Sequence, residues 1–180
     1  MNNQEKNSYV RSQILKALLE MMRVDNFDSI TISCLTAKAE VGRASFYRNY
    51  QTKEDVLRQE AERLNNELND IRRNDDPNDY RLKLLRTLDF YKANSDFYMT
   101  VYNAGQTQII QDSIIDKKSL SDEMPAPIAY VMSAFSYLIY GWVIKWLRRG
   151  MKETSSARIA MFDISTNWTK RRWFGMNACH

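Results

Sequence analysis

The spacing of apolar residues predicts helices in the first part of the chain. Between residues 7 and 24 they recur three or four positions apart, at Val10, Ile14, Ala17, Leu18, Met21 and Met22. This is the pattern of an amphipathic helix. Turn-forming residues at 25–29 end it, and Thr31 offers a hydroxyl N-cap for a second helix that extends to Ala39.

A third and a fourth helix follow closely. Gly42 is a suitable N-cap for a short third helix. Thr52 and Asp55 have the spacing of a capping box, which predicts a longer helix that ends near Arg73. The apolar seam of this helix consists of Leu57, Ala61, Leu64, Leu68 and Ile71. The polar, proline-containing segment 74–79 is then the best domain boundary in the chain.

The second half of the chain is also predicted to be helical. Periodic segments predict helices at 80–93, 96–103, 106–118 and 155–168. Residues 128–144 carry no charge, and such a run approaches the roughly 20 apolar residues that span a bilayer. Because Ser133, Ser136 and three tyrosines interrupt it, we favour a helix with one face in the protomer core and the other in a dimer interface, and no membrane span.

Composition agrees with an all-α fold. The 180 residues include only 5 Gly and 3 Pro, too few for the turns of a many-stranded sheet. The net charge of +4 is a mild excess that suits a phosphate-facing surface. Cys34 and Cys179 lie far apart, which indicates neither a disulfide framework nor a metal knuckle and favours a reducing cytoplasm. We expect no signal peptide, and we expect Cys34 to be buried or half-buried.

Enzymatic chemistry finds little support in the sequence. His180 is the only histidine, so a Ser-His or Cys-His pair, or a histidine metal site, lacks its base or ligand in the folded body. No glycine-rich phosphate loop or dinucleotide fingerprint is present, which leaves only carboxylate catalysis open. We therefore expect no enzyme activity, no metal and no cofactor, and we interpret Cys179-His180 as a tail.

One stretch carries a specific resemblance. Residues 30–57 read ITISCLTAKAEVGRASFYRNYQTKEDVL. In order, the informative positions are a hydroxyl at the start of helix two, Leu35, Ala39, Val41 in the turn, the pair Phe46-Tyr47, Tyr50 and Lys53. This series resembles the DNA-binding region of the tetracycline-repressor (TetR) family. The resemblance implies a three-helix helix-turn-helix DNA-binding domain at 1–53 and a helical ligand-binding and dimerisation domain at 54–180, which begins with the linking helix 52–73.

The resemblance also implies which residues meet DNA. A helix enters the roughly 12 Å major groove only if its outward residues are small, polar or basic. Arg43, Ala44 and Ser45 have that character, and Arg43 can read guanine or hold a phosphate. The other expected contacts are Thr31, Ser33, Tyr47, Arg48, Asn49 and Lys53. The alternative interpretation is an ordinary solvated basic face, with Phe46 in the small core beneath it.

Two residues depart from the family pattern. Glu40 stands where the family usually has glycine in the turn, and it places a negative charge near the DNA face. Ser33 replaces an arginine or another long polar residue, which weakens the expectation of a base contact there.

The sequence thus predicts a cytoplasmic, homodimeric transcription regulator that binds double-stranded DNA at a palindromic operator. Repression that a small hydrophobic or aromatic effector relieves is the main hypothesis; control by a protein partner without a small ligand is the alternative. The segment FYKANSDFYMTVYNAG resembles one branch of the family's regulatory domains. Aromatic residues there form either core or an effector pocket, whose candidate contacts are Phe97, Tyr98, Tyr102 and Tyr137. Operator, effector, regulated genes and the sign of regulation stay open.

Overall fold

A computed structural model describes residues 3–76, 79–115 and 125–154, together with 157, 160 and 161. The helices in this part are α1 (Asn3–Met22), α2 (Ile32–Lys38), α3 (Arg43–Tyr47), α4 (Lys53–Arg72), α5 (Tyr80–Ala93), α6 (Ser95–Asn103), α7 (Thr107–Ile114) and α8 (Ala126–Arg148). A short 3-10 turn, Phe27–Ser29, connects α1 to α2. The described residues contain no β-strand, and the all-α prediction is confirmed. The C-terminal tail and most of the predicted helix at 155–168 lie outside these residues.

The helix starts in the N-terminal region follow from side-chain caps. The Thr31 hydroxyl accepts a hydrogen bond from the backbone N–H of Cys34 at 3.2 Å and so caps α2. At α4, the Thr52 hydroxyl accepts from the Asp55 N–H at 3.2 Å, while the Asp55 carboxylate accepts from the Thr52 N–H at 3.0 Å. Both predicted caps are confirmed, and they place α2 and α4 at fixed points on either side of α3.

Buried apolar side chains fix α3 against its neighbours. α1 packs against α2, α3 and α4. The fully buried members of this small core are Ile14, Leu18, Leu35, Phe46 and Leu57. Each such side chain contributes roughly 1.5–3 kcal/mol when it leaves water. This burial holds α1, α2, α3 and the start of α4, which together we call the head, in one arrangement although α2 and α3 are short.

The head is joined to the rest of the protein through α1, α4 and α6. α4 continues beyond the head and packs against α5 and α7. At the end of α1, the Arg23 guanidinium bridges to the Asp96 carboxylate in the first turn of α6 at 2.6 Å. Beside α4, the Tyr91 and Tyr98 rings lie 4.5 Å apart, and burial raises the pKa of both phenols so that they stay neutral.

The turn between α2 and α3 is a Schellman motif with an unusual residue. The Val41 N–H bonds to the Thr36 carbonyl at 3.0 Å and the Glu40 N–H bonds to the Ala37 carbonyl at 3.2 Å. Glu40 has φ 54°, whereas glycine stands at the equivalent left-handed position after α6, Gly105 with φ 76°. A side chain at such a φ is strained, because its Cβ approaches the following carbonyl.

We expect the Glu40→Gly variant to be more stable than the natural protein by about 1 kcal/mol, because glycine relieves the left-handed strain. The control Glu40→Gln removes the charge but keeps the Cβ, so its stability is expected to stay within about 0.5 kcal/mol. Urea denaturation measures both variants. If Glu40→Gly and Glu40→Gln stabilise the protein equally, the charge of Glu40, and not its backbone conformation, destabilises the fold.

Two sequence predictions about burial are wrong. Cys34 is exposed, because Leu35 and Ala39 define the inward face of α2 and Cys34 lies about 100° away from Leu35 around the helix. Ile71, assigned to the apolar seam of α4, is 43% exposed at the end of that helix. The seam itself is otherwise confirmed, since its other four members are buried.

α8 is the long uncharged helix of the prediction. Its 23 residues, with a mean hydropathy of 1.4 over the most apolar 18 of them, make it the one described helix that is long and apolar enough to cross a membrane. A single helix of this kind is weak support for a membrane protein, because a helix in a protein interface passes the same test. Val143, Trp146 and Leu147 near its C-terminal end are buried, whereas its N-terminal half exposes Ile128, Tyr130, Val131, Phe135, Tyr137 and Leu138.

Candidate nucleic-acid interface

α2 and α3 together present a polar and basic surface. Of the predicted DNA contacts, Thr31, Ser33, Arg43, Ala44, Tyr47 and Arg48 are exposed, and Ser45, Asn49 and Lys53 are half-buried. Phe46 of α3 and Tyr50, three residues after that helix, are buried. The structure therefore brings the predicted contacts of α3 onto one outward face, above an apolar anchor.

Hydrogen bonds from the two residues that follow α3 orient part of this face. The Arg48 guanidinium donates to the Ser45 hydroxyl at 2.8 Å, and the Asn49 amide donates to the Ser45 carbonyl at 2.9 Å. Gln59 of α4 donates to the Asn49 carbonyl at 3.2 Å. Among the described residues, no hydrogen bond or ion pair engages Arg43, so its guanidinium is available to a ligand.

Charge on this surface favours an anion. Residues 31–53 contain four basic side chains and a single acidic one, Glu40. One of the four, Lys38, is partly neutralised, because its ammonium lies 3.0 Å from the Glu20 carboxylate and lowers the pKa of that carboxyl. Arg43 and Arg48 are then the exposed cations of α3.

Lys53 makes contacts that the sequence did not predict. Its ammonium donates to the backbone carbonyls of Phe27, Asp28 and Ile30, at 2.5, 3.2 and 3.0 Å, and lies 4.5 Å from the centre of the Phe27 ring. An ammonium has three N–H donors, and all three are used here. The predicted phosphate contact stays a prediction, and the contact that the structure provides is to the turn before α2.

We expect Lys53→Met to lower the free energy of unfolding by about 2 kcal/mol, because three charge-assisted hydrogen bonds to the turn are lost. Lys38→Met is the matched control, since an exposed ion pair contributes only about 0–1 kcal/mol. A phosphate contact by Lys53 would instead reduce the slope of log affinity against log salt by about 0.9 with little loss of stability.

Arg11 and Gln59 are polar residues that sequence reasoning missed. The Arg11 guanidinium donates to the Tyr50 hydroxyl at 3.3 Å and to the Gln59 side chain at 2.9 Å, so α1, α3 and α4 meet at this point. Helical spacing places both residues on polar faces but gives no indication that these faces meet. Only the packing of α1 on α4 reveals the cluster.

The predicted effector contacts lie in three different settings. Phe97 and Tyr98 are buried, with ring centroids 5.3 Å apart. The Tyr102 hydroxyl accepts a hydrogen bond from Arg148 of α8 at 3.1 Å, and Tyr137 is 50% exposed on α8. Their role in ligand binding stays a prediction. Among the described residues, no group of three or more His, Cys, Asp or Glu side chains is placed to hold a metal ion.

Comparison with known proteins identifies the family. Residues 78–167, half of the 180, match the family model of the C-terminal region of TetR-type transcriptional regulators. No curated protein matches the chain significantly.

Two solved structures have a similar fold. The dihydroxyacetone kinase operon activator DhaS is 18% identical, with a TM-score of 0.50 over 87% of this chain and 95% of that chain. A TetR-family transcriptional regulator from Streptomyces coelicolor is 17% identical, with a TM-score of 0.50 over 89% of this chain and 78% of that chain. At these identities the likeness concerns the fold. From the family match and the all-helical fold together, the chain belongs to the TetR family of transcriptional regulators.

Proposed function

We propose that this regulator reads DNA sequence with α3 in the major groove. The observation that carries the proposal is the outward face of α3, where Arg43, Ala44 and Tyr47 are exposed while Phe46 is buried in the core beneath the helix. Arginine recognises guanine with two hydrogen bonds, and alanine fits against a thymine methyl group. Thr31 and Ser33 approach from α2, and Tyr47, Arg48 and Asn49 hold phosphates on either side.

We also propose that the protein acts as a homodimer through α8. The exposed apolar residues in the N-terminal half of this helix are otherwise costly to leave in water. In a two-fold dimer, the exposed apolar residues of α8 in one protomer pack against the same residues of the other protomer and are covered by them. The last helices of the two protomers then form the interface. Two copies of α3 then reach successive major grooves of a palindromic operator, roughly 34 Å apart.

Regulation in this proposal is repression that a small apolar or aromatic effector relieves in the cytoplasm. Such an effector must bind more tightly, by several kcal/mol, to the dimer with one spacing of its two DNA-binding heads than to the dimer with the other spacing. A ligand shifts an equilibrium between two states only by its difference in affinity for them. α4 is the element that transmits the change, since it begins at the DNA-binding head and packs against α5 and α7.

Arg43→Ala tests the role of α3. We expect it to weaken binding to an operator selected from the gene's upstream region by about 1–3 kcal/mol, with selectivity lost at one base pair if Arg43 reads guanine. If Arg43 holds a phosphate, binding to specific and scrambled duplexes falls together. Arg58→Ala on the exposed side of α4 is the matched control and leaves binding unchanged. Equal effects of the two variants would contradict the assignment of α3 as the recognition helix.

A further inference from the structure

We infer that the cleft between α1 and α4 binds a small organic monoanion with an apolar group, such as an aromatic carboxylate. The cleft has a volume of about 550 Å³. Sites for small molecules typically enclose roughly 300–1,000 Å³ and combine apolar walls with a few polar groups. This cleft lies outside the aromatic core of the second domain, where the effector was expected from the sequence.

The wall formed by α1 supplies the cationic hydrogen-bond donor, Arg11, whereas the Ser12 hydroxyl already donates to the Tyr9 carbonyl at 2.8 Å. Asn7, Ser8, Arg11 and Ser12 line this wall, and the pairs 7/11 and 8/12 are each four positions apart, which puts the four residues on one face of the helix. The guanidinium of Arg11 uses only two of its five N–H groups, toward the neutral Tyr50 hydroxyl and the neutral Gln59 side chain. Among the described residues no carboxylate forms an ion pair with Arg11. A carboxylate seated on Arg11 would therefore gain charge-assisted hydrogen bonds.

The wall formed by α4 limits the charge of the ligand. Arg63 lines the cleft too, but its guanidinium is bonded to both oxygens of Glu60, at 2.8 and 2.9 Å, and to Glu67 at 2.9 Å. Two carboxylates against one guanidinium leave this wall with one net negative charge, which disfavours a second anionic group on a ligand whose first one is paired with Arg11. The cleft thus suits a ligand with one carboxylate better than a phosphate or a dicarboxylate.

The floor of the cleft is apolar. Leu15 of α1 and Val56 of α4 form it, beside the ring of Tyr50. An aromatic or branched aliphatic group fits against such a floor, and its burial adds to the binding of the carboxylate.

The position of the cleft connects it to the DNA-binding surface. Gln59 bonds to Arg11 on one side and to the Asn49 carbonyl on the other, at 2.9 and 3.2 Å. An anion that draws Arg11 away from Gln59 changes the support of Asn49 at the end of α3. The binding of the anion does not depend on the proposed function, whereas this regulatory consequence rests on it.

Binding is tested with 4-fluorobenzoate on the full-length protein without DNA, by the broadening of the fluorine NMR line. We expect saturation with a half-point of roughly 1–10 mM, as a ligand of about ten heavy atoms allows. The uncharged isostere 4-fluorobenzamide is expected to bind at least about tenfold more weakly, because it offers no carboxylate to Arg11. Arg11→Gln is expected to weaken 4-fluorobenzoate binding by about tenfold or more, and Lys16→Gln, which removes the same charge from another face of α1, leaves it unchanged.

Three outcomes would overturn the site. The first is the absence of saturable 4-fluorobenzoate binding in the millimolar range, and the second is undiminished binding to Arg11→Gln. The third is that Arg11→Gln, without any effect on 4-fluorobenzoate, lowers the salt slope of DNA binding by about 0.9, which would make Arg11 a phosphate contact instead. The NMR measurement contains no DNA, so its result does not bear on the proposed DNA-reading role of α3, which the Arg43→Ala experiment tests separately.

Discussion

Replacing Phe46 by alanine is expected to lower the free energy of unfolding by about 3–5 kcal/mol, the usual cost of removing a buried aromatic side chain from a core. Phe46 is 0% exposed, and its ring centroid lies 5.4 Å from that of Tyr47 and 5.7 Å from that of Tyr50. Without this ring α3 loses its anchor, so DNA binding is expected to fall together with stability. Urea denaturation followed by circular dichroism measures the first effect, and fluorescence anisotropy with labelled DNA measures the second.

The neighbouring Tyr47 provides the matched comparison. It is 58% exposed, so Tyr47→Phe removes a hydroxyl from the surface and is expected to change stability by less than about 0.5 kcal/mol. Its DNA affinity is expected to fall by about 1 kcal/mol, or roughly fivefold, if that hydroxyl donates to a phosphate. The opposite pattern, in which Phe46→Ala folds normally and Tyr47→Phe unfolds the head, would contradict the placement of the two rings.

Phe135→Glu is expected to dissociate the dimer. Phe135 is 46% exposed in the N-terminal half of α8, at the centre of the proposed interface. At a two-fold contact the substitution puts two carboxylates into an apolar surface, where each unpaired charge costs several kcal/mol. Because a monomer reads only half of a palindrome, operator affinity is expected to fall by about 10³-fold. Sedimentation velocity reports the dissociation, and anisotropy reports the loss of affinity.

The control for this experiment is Asn66→Glu, which adds the same charge on the exposed side of α4. It is expected to leave the protein dimeric. The circular dichroism of Phe135→Glu is expected to match that of the natural protein, which separates dissociation from unfolding. A Phe135→Glu protein that sediments as a dimer and binds the operator normally would place the dimer interface elsewhere.

The helix-turn-helix could be predicted because its information is local. The caps at Thr31 and Thr52, and the inward Leu35 and Phe46, are set by spacings of a few residues within single helices. Such spacings are visible in a sequence. The exposure of Cys34 was visible in the same way, since it precedes Leu35 by one position, but the general tendency of cysteine to be buried led to the wrong prediction.

The contacts of Lys53 and Arg11 could not be predicted from the sequence. Lys53 binds backbone carbonyls 23 to 26 positions earlier in the chain, and a carbonyl carries no side-chain signal. Arg11 meets its partners 39 and 48 positions later, and its cleft lies between α1 and α4, which pack against each other. In both cases the information lies in tertiary packing, which helical periodicity does not contain.

The central claim, that this regulator reads a specific DNA sequence, is tested most directly by fluorescence anisotropy with duplexes from its own upstream region and with a scrambled duplex, across a salt series. The account predicts an affinity for one upstream duplex about 10³-fold higher than for the scrambled one, with a steep salt slope for both. Equal and weak binding to every duplex at all salt concentrations would contradict it.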